Sequence, residues 1–193
     1  MRRAFAHADG PACAAWQSGA LQNTWRGALR RPWILDLDVT VKPIYGHQEG
    51  AEVGYNPHKP GRPSHAYHTL FLRHLRLVLD VGVRPGKQHA AAHGRDNLWR
   101  VWESLPAECR PWLVCGDAGY GNQALMSDCE MRAQKYLFRL RRSTGVQQLI
   151  GWLENQGGWR PGVNGWSGLE GRLQLSGWNV RSEEHTLNSS HRT

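Results

Sequence analysis

Three aspartates are the residues of this sequence best placed to do chemistry. In Trp33-Ile34-Leu35-Asp36-Leu37-Asp38-Val39-Thr40-Val41, apolar and polar residues alternate. A strand with that period puts Leu35, Leu37, Val39 and Val41 on one face and Asp36, Asp38 and Thr40 on the other. Burying unpaired carboxylates is costly, so the polar face needs solvent, a cationic side chain or a metal ion. The third aspartate, Asp117, closes the apolar run Trp112-Leu113-Val114-Cys115-Gly116 and precedes the tight turn Ala118-Gly119-Tyr120-Gly121. Strand ends at a topological switch are where α/β sheets collect ligands. If the two strands are neighbours, Asp38 and Asp117 converge. Hard carboxylate oxygens suit Mg²⁺ or Mn²⁺. Two such ions about 3.5–4 Å apart can activate water and stabilise the leaving oxygen in phosphodiester cleavage. Parity does not separate Asp36 from Asp38. The plainer readings are an edge-strand carboxylate paired with arginine and a turn-forming aspartate before glycine.

The elements that must position these residues follow from the surrounding pattern. A helix is expected over Ala12–Leu29, then a break at Pro32 and the first strand. Residues 43–65 are rich in Gly, Pro and His and read as loop. Strands are expected over Ser64–Leu72 and Leu75–Val83, the second ended by Arg84-Pro85-Gly86. Leu98, Val101, Trp102 and Leu105 recur at helical spacing and predict a helix over Asp96–Leu105. After the strand ending at Asp117, Asn122 is a natural N-cap for a helix over Gln123–Arg132. Tyr136–Leu140 predicts another strand, Val146–Leu153 a short helix, and Trp159–Val180, rich in Gly and Trp, a β-rich unit. The order predicts an α/β fold with a mixed sheet.

The bulk composition narrows the class. With 193 residues and 40% hydrophobic content, the chain is long enough for a core and is not disordered by composition. No apolar run approaches the roughly 20 residues of a membrane helix, and no apolar segment follows the basic start. A cytoplasmic protein with no membrane partner is expected. Lys and Arg number 24 against 16 Asp and Glu, a net charge of +8, which attracts polyanions such as nucleic acid. Cys13, Cys109, Cys115 and Cys129 form no Cys-x-x-Cys pair and are expected to be reduced thiols. Residues 181–193 show no apolar period and resemble a translated sequencing-adapter read-through, so they are left out of the fold. Their removal takes away Arg181 and Arg192 together with Glu183 and Glu184, so the net charge is unchanged.

Several motifs in order carry a family resemblance. Leu35-Asp36-Leu37-Asp38-Val39-Thr40, Tyr45-Gly46-His47-Gln48-Glu49-Gly50-Ala51, Gly61-Arg62-Pro63-Ser64-His65-Ala66-Tyr67-His68, Cys115-Gly116-Asp117-Ala118-Gly119-Tyr120-Gly121 and Tyr136-Leu137-Phe138-Arg139-Leu140 resemble bacterial insertion-sequence transposases with an RNase H-like DDE domain. The resemblance covers roughly residues 31–180. It implies an RNase H-like mixed sheet flanked by helices, with a core at 31–145, the start of a β-rich insertion at 146–180, and a remnant of an N-terminal region at 1–30. It implies that Asp38 and Asp117 are the first and second catalytic carboxylates and the ligands of Mg²⁺ or Mn²⁺. The activity it implies is hydrolysis at a transposon end, releasing a 3′-OH, followed by in-line attack of that hydroxyl on target DNA. The implied partners are DNA and, in the parent protein, a second copy. The third carboxylate of such families, a glutamate in a Tyr-x-x-Arg-x-x-x-Glu-x-x-x-x-x-x-Lys signature, is absent, since no tyrosine follows Tyr136. The chain is therefore expected to be a fragment that binds metal weakly and does not transfer strands. The alternatives are an inactive DNA-binding remnant and another RNase H-like nuclease, which would cleave without joining.

Basic and histidine residues supply the remaining candidates. Arg139, Arg141 and Arg142 follow a strand and could meet a phosphate backbone, with Arg62, Lys59, Arg73 and Arg76 adding to the footprint. For any one of them a solvated basic face is the plainer reading. Pro60-Gly61-Arg62-Pro63 is compared with minor-groove hooks, although such turns are common. His65-x-x-His68 and His89-x-x-x-His93 with Cys109 or Cys115 form a competing zinc hypothesis without recognised spacing.

Overall fold

The computed structural model describes residues 10–25, 29, 32–54, 56, 59–87, 90–173 and 178. These form two compact units. One holds the described residues up to Gly116 together with Gln134–Leu137, and the other holds Asp117–Ala133 and the described residues from Phe138 onward.

In the first unit, helix α1 (Gly10–Trp25) precedes strands β1 (Ile34–Pro43), β2 (Glu52–Val53), β3 (Pro63–Leu72) and β4 (Leu77–Pro85), helix α2 (Ala90–Ser104) and strand β5 (Leu113–Gly116). Strand β6 (Tyr136–Phe138) completes a mixed sheet of order β2-β3-β1-β5-β6, with β4 also paired to β3. β1 runs antiparallel to β3, with Leu35 opposite Leu72 and Asp38 opposite Thr69, and β3 antiparallel to β4. β5 is parallel to β1, with Leu35 opposite Val114 and Leu37 opposite Gly116. An antiparallel meander followed by a strand parallel to the first makes the sheet mixed, as the order of elements predicted.

The alternation of β1 survives in part. Leu35 and Leu37 are buried, but Val39 and Val41 are only half-covered as the strand runs out. β3 is stricter: Ser64, Ala66, His68, Leu70 and Leu72 are buried, and every intervening residue is half-exposed. Helix α2 packs on β3 and β4 through the face carrying Leu98, Val101 and Trp102. At about 25 cal/mol per Å² of apolar surface, each such side chain contributes on the order of 2 kcal/mol. Arg100 Nη2 lies 2.7 Å from Asp80 Oδ2 and ties α2 to β4. Trp33 Nε1 donates to the Cys109 carbonyl at 3.0 Å, and Trp102 Nε1 donates to Gln134 Oε1 at 2.9 Å. The buried indoles thus keep their donors satisfied.

The second unit holds helices α3 (Gln123–Met131) and α4 (Thr144–Gln156) and a short ladder of β7 (Arg160–Pro161) with β8 (Ser167–Gly168). Asn122 Oδ1 accepts from Leu125 N–H at 3.1 Å, as its N-cap reading requires. Ser143 caps α4 in the same way, accepting from Val146 N–H at 3.5 Å.

Some expected bounds move. α1 begins and ends earlier than Ala12–Leu29, and α2 begins at Ala90 rather than Asp96. Leu75 does not open a strand: Arg73–Leu75 is a 3-10 turn, closed by Arg76 at φ 52, and β4 starts at Leu77. β6 stops at Phe138 instead of Leu140, and α4 outruns Val146–Leu153 at both ends. The loop expected over 43–65 contains the two-residue β2 and the start of β3. Part of the Trp159–Val180 stretch, and all of 181–193, lie outside the described residues.

Candidate active site

β1 separates Asp36 from Asp38, which sequence parity did not. Asp36 is half-buried, and its Oδ2 lies 3.8 Å from Arg73 Nε. Burial raises the Asp36 carboxyl above the usual carboxylate range; the Arg73 charge opposes the shift and the Asp38 charge adds to it. Asp36 sits opposite Cys115 on β5, where burial, reinforced by the Asp36 charge, pushes the thiol up to about 11. Asp36 is therefore engaged by arginine, the partner that the plainer reading had given to Asp38. Asp38 is exposed. Its Oδ2 accepts from the Thr40 hydroxyl at 3.4 Å, and its carbonyl accepts from the Thr69 hydroxyl at 3.3 Å. The Asp-x-Thr spacing thus has a local consequence, a hydroxyl that touches the carboxylate from the same strand face.

Asp117 is the residue after Gly116, the last position of β5. Its Oδ1 accepts from Gly119 N–H at 2.9 Å, and its carbonyl accepts from Tyr120 N–H at 3.1 Å. The side chain thus builds the turn, as an aspartate before glycine does, while the residue stays exposed. Tyr120 is buried, and a Cβ on Gly121 would lie 2.2 Å from the Arg139 carbonyl oxygen. Gly121 is therefore fixed by close backbone approach.

The basic candidates fall into separate groups. Arg139, Arg141 and Arg142 are exposed and lead into the N-terminus of α4. Arg73 is taken up by Asp36, and Arg76 closes the 3-10 turn. Arg62 and Lys59 are exposed, with the Arg62 guanidinium 4.6 Å and the Lys59 ammonium 4.8 Å from the centre of the Tyr45 ring. Tyr45 was not a candidate from the sequence; only the Gly-Pro turn beside it hinted that its surroundings were organised.

The zinc hypothesis fails for its first pair. His65 and His68 lie three residues apart on β3 and so face opposite sides of the sheet, His68 buried and His65 half-exposed. His65 Nε2 lies 3.1 Å from the Glu49 carbonyl. His89 lies outside the described residues, and nothing is described of the His93 side chain.

A family model described as Transposase DDE domain group 1 matches residues 18–163. The chain belongs to that family. No curated protein matches it. Among solved structures, this DDE-family chain is similar to the piggyBac transposase in its synaptic complex with hairpin DNA, with 14% identity, a TM-score of 0.44, and coverage of 66% of this chain and 26% of that one. It is also similar to the HTLV-2 integrase catalytic core domain in complex with magnesium (16%, 0.38, 68% and 74%). The Mos1 transposase paired-end complex with the left transposon end is a third (12%, 0.37, 72% and 52%). The chain thus spans about a quarter of the piggyBac transposase chain and about half of the Mos1 chain. Among the described residues of this DDE-family chain, no helix is long and apolar enough to cross a membrane.

Proposed function

We propose that this chain is a catalytic part of a DDE transposase, in which Asp38 and Asp117 hold a divalent cation, Mg²⁺ or Mn²⁺, for DNA cleavage and strand transfer. The observation that carries the reading is the parallel pairing of β1 with β5, which runs to Leu37 opposite Gly116. Asp38 follows Leu37 within β1, and Asp117 is the residue after the end of β5. The donors fit the ion: both are exposed carboxylates, and hard oxygen ligands are what Mg²⁺ and Mn²⁺ select. A bound ion would supply activation of water and stabilisation of the leaving oxygen at a phosphodiester. This chain's own residues would orient it, with Thr40 steadying the Asp38 carboxylate and the Gly119 N–H steadying that of Asp117.

In this reading Arg62, Arg139, Arg141 and Arg142 contact DNA backbone, which positions the strand without reading its sequence. Joining two transposon ends calls for a homodimer of the parent protein. The glutamate of the Tyr/Arg/Glu/Lys signature has no counterpart in these 193 residues, so the chain alone should bind metal weakly and give no detectable strand transfer.

Mn²⁺ binding, followed by electron paramagnetic resonance of the free ion, tests the site. Asp38→Asn and Asp117→Asn should each weaken binding at least about tenfold, the ~1.4 kcal/mol scale of one lost ligand contact. Asp36→Asn should leave it within about twofold. Binding unchanged by both substitutions would remove the metal site and leave the DNA-binding remnant as the better account. Robust strand transfer by the chain alone would overturn the missing-carboxylate reading.

A further inference from the structure

We infer that Tyr45, Lys59 and Arg62 form a preassembled clamp for the phosphate backbone of duplex DNA. The inference deepens the DNA-backbone role proposed above for Arg62 and is independent of the metal site.

The clamp follows from the sequence Lys59-Pro60-Gly61-Arg62. Proline fixes φ at the second position of a turn, and Gly61 at φ +77 supplies the left-handed third position. Arg62 N–H donates to the Lys59 carbonyl at 3.4 Å and closes the turn. Asn56 Oδ1 accepts from Lys59 N–H at 3.2 Å and fixes the approach. A turn of this type brings its first and fourth residues within about 7 Å, so two cations emerge side by side. Ile44 N–H donates to the Pro63 carbonyl at 2.8 Å, which docks the end of β1 against the turn and places Tyr45 beside both cations. Lys59 Nζ also donates to the Tyr45 hydroxyl.

This arrangement has an electrostatic consequence. Two like charges at one phenol repel, and among the described residues neither is ion-paired with a carboxylate. The ring offsets some of that repulsion, about 0.5–1 kcal/mol for the exposed Arg62 cation–π contact, while Lys59 is held at the hydroxyl. The hydrogen bond from Lys59, with the charges of Lys59 and Arg62, holds the Tyr45 phenol below its usual range, as expected of an anion-attracting site. Tyr45 is 60% exposed, so the cluster is open to a large ligand. A phosphodiester oxygen would complete the charge balance, with the guanidinium fork offering two donors. At ~3.3 Å per residue, Tyr45 lies roughly 20 Å along the chain from Asp38. The clamp therefore grips backbone away from the reacting phosphate and sets register, not chemistry.

Fluorescence anisotropy with a 30-base-pair duplex of arbitrary sequence, at about 50 to 200 mM KCl, tests this. Each phosphate contact contributes ~0.9 to the slope of log affinity against log salt. Lys59→Gln with Arg62→Gln should lower that slope by roughly 1.8. Tyr45→Ala, which removes no charge, should weaken binding at least threefold, and Tyr45→Phe should retain most of it. Arg84→Gln with Lys87→Gln removes the same charge from exposed positions of the same unit and should lower the slope by less than half as much. Circular dichroism checks the fold of each variant. Equal slopes for the two charge pairs, or wild-type binding by Tyr45→Ala, would overturn the clamp. Loss of Mn²⁺ binding in the aspartate variants with these slopes intact would leave it standing, so the two readings fail separately.

Discussion

Asp36 and Asp38 show how one register position decides a carboxylate's role. Both lie on the same face of β1, yet Asp36 is half-buried beside Arg73 and Cys115, and Asp38 is exposed beside Thr40. No alternation pattern encodes that difference, because it depends on which strand lies next to β1 and where the chain after β3 turns. The cysteines were more legible: without a paired spacing they were expected as reduced thiols, and all four are free. Burial, with a contribution from the Asp128 charge, pushes the Cys129 thiol up to about 12. The sign of the pH effect follows. The fold holds a proton that the unfolded chain releases near pH 9, so stability present below that pH is lost as pH rises toward 12. Urea midpoints at pH 8 and pH 10 should fall less in Cys129→Ala than in the wild type. An equal fall in both would show that Cys129 contributes nothing to the alkaline loss.

At the scale of elements, periodic segments were readable and segments set by turns were not. Leu98, Val101 and Trp102 located α2, but its first turn is an alanine run with helix propensity and no period, so its start was missed. Leu75-Arg76-Leu77-Val78 alternates like a strand, and only the left-handed Arg76 shows that it is not one throughout. The turn Lys59–Arg62 was legible as a turn, but the ring it delivers two cations onto was not, since that needs the β1 end docked to Pro63. The turn after β5 makes a firmer statement. Gly121 meets the Arg139 carbonyl, which is backbone and cannot swing aside. Gly121→Ala should therefore destabilise the chain by about 1–3 kcal/mol, the usual cost of overpacking. Asn122→Ala, which removes only the cap, should cost about 1 kcal/mol. Chemical denaturation distinguishes them, and a neutral Gly121→Ala would show that the turn can shift.

Across the whole molecule, the charge balance makes a prediction that the fold does not. A net charge of +8 attracts polyanions at long range, and in the proposed function phosphate contacts would add counterion release to that background. The last thirteen residues carry Arg181 and Arg192 against Glu183 and Glu184, so they contribute nothing to the net charge. If they are foreign to the domain, truncation after Val180 should leave duplex affinity within about twofold and the salt slope unchanged, because neither the net field nor the Tyr45 clamp is altered. A strand-forming or DNA-contacting tail would behave otherwise. It would change the slope by ~0.9 for each phosphate it touches, or lower the urea midpoint if it covered apolar surface. The same two measurements on one truncated protein therefore decide whether residues 181–193 take part in either recognition or folding.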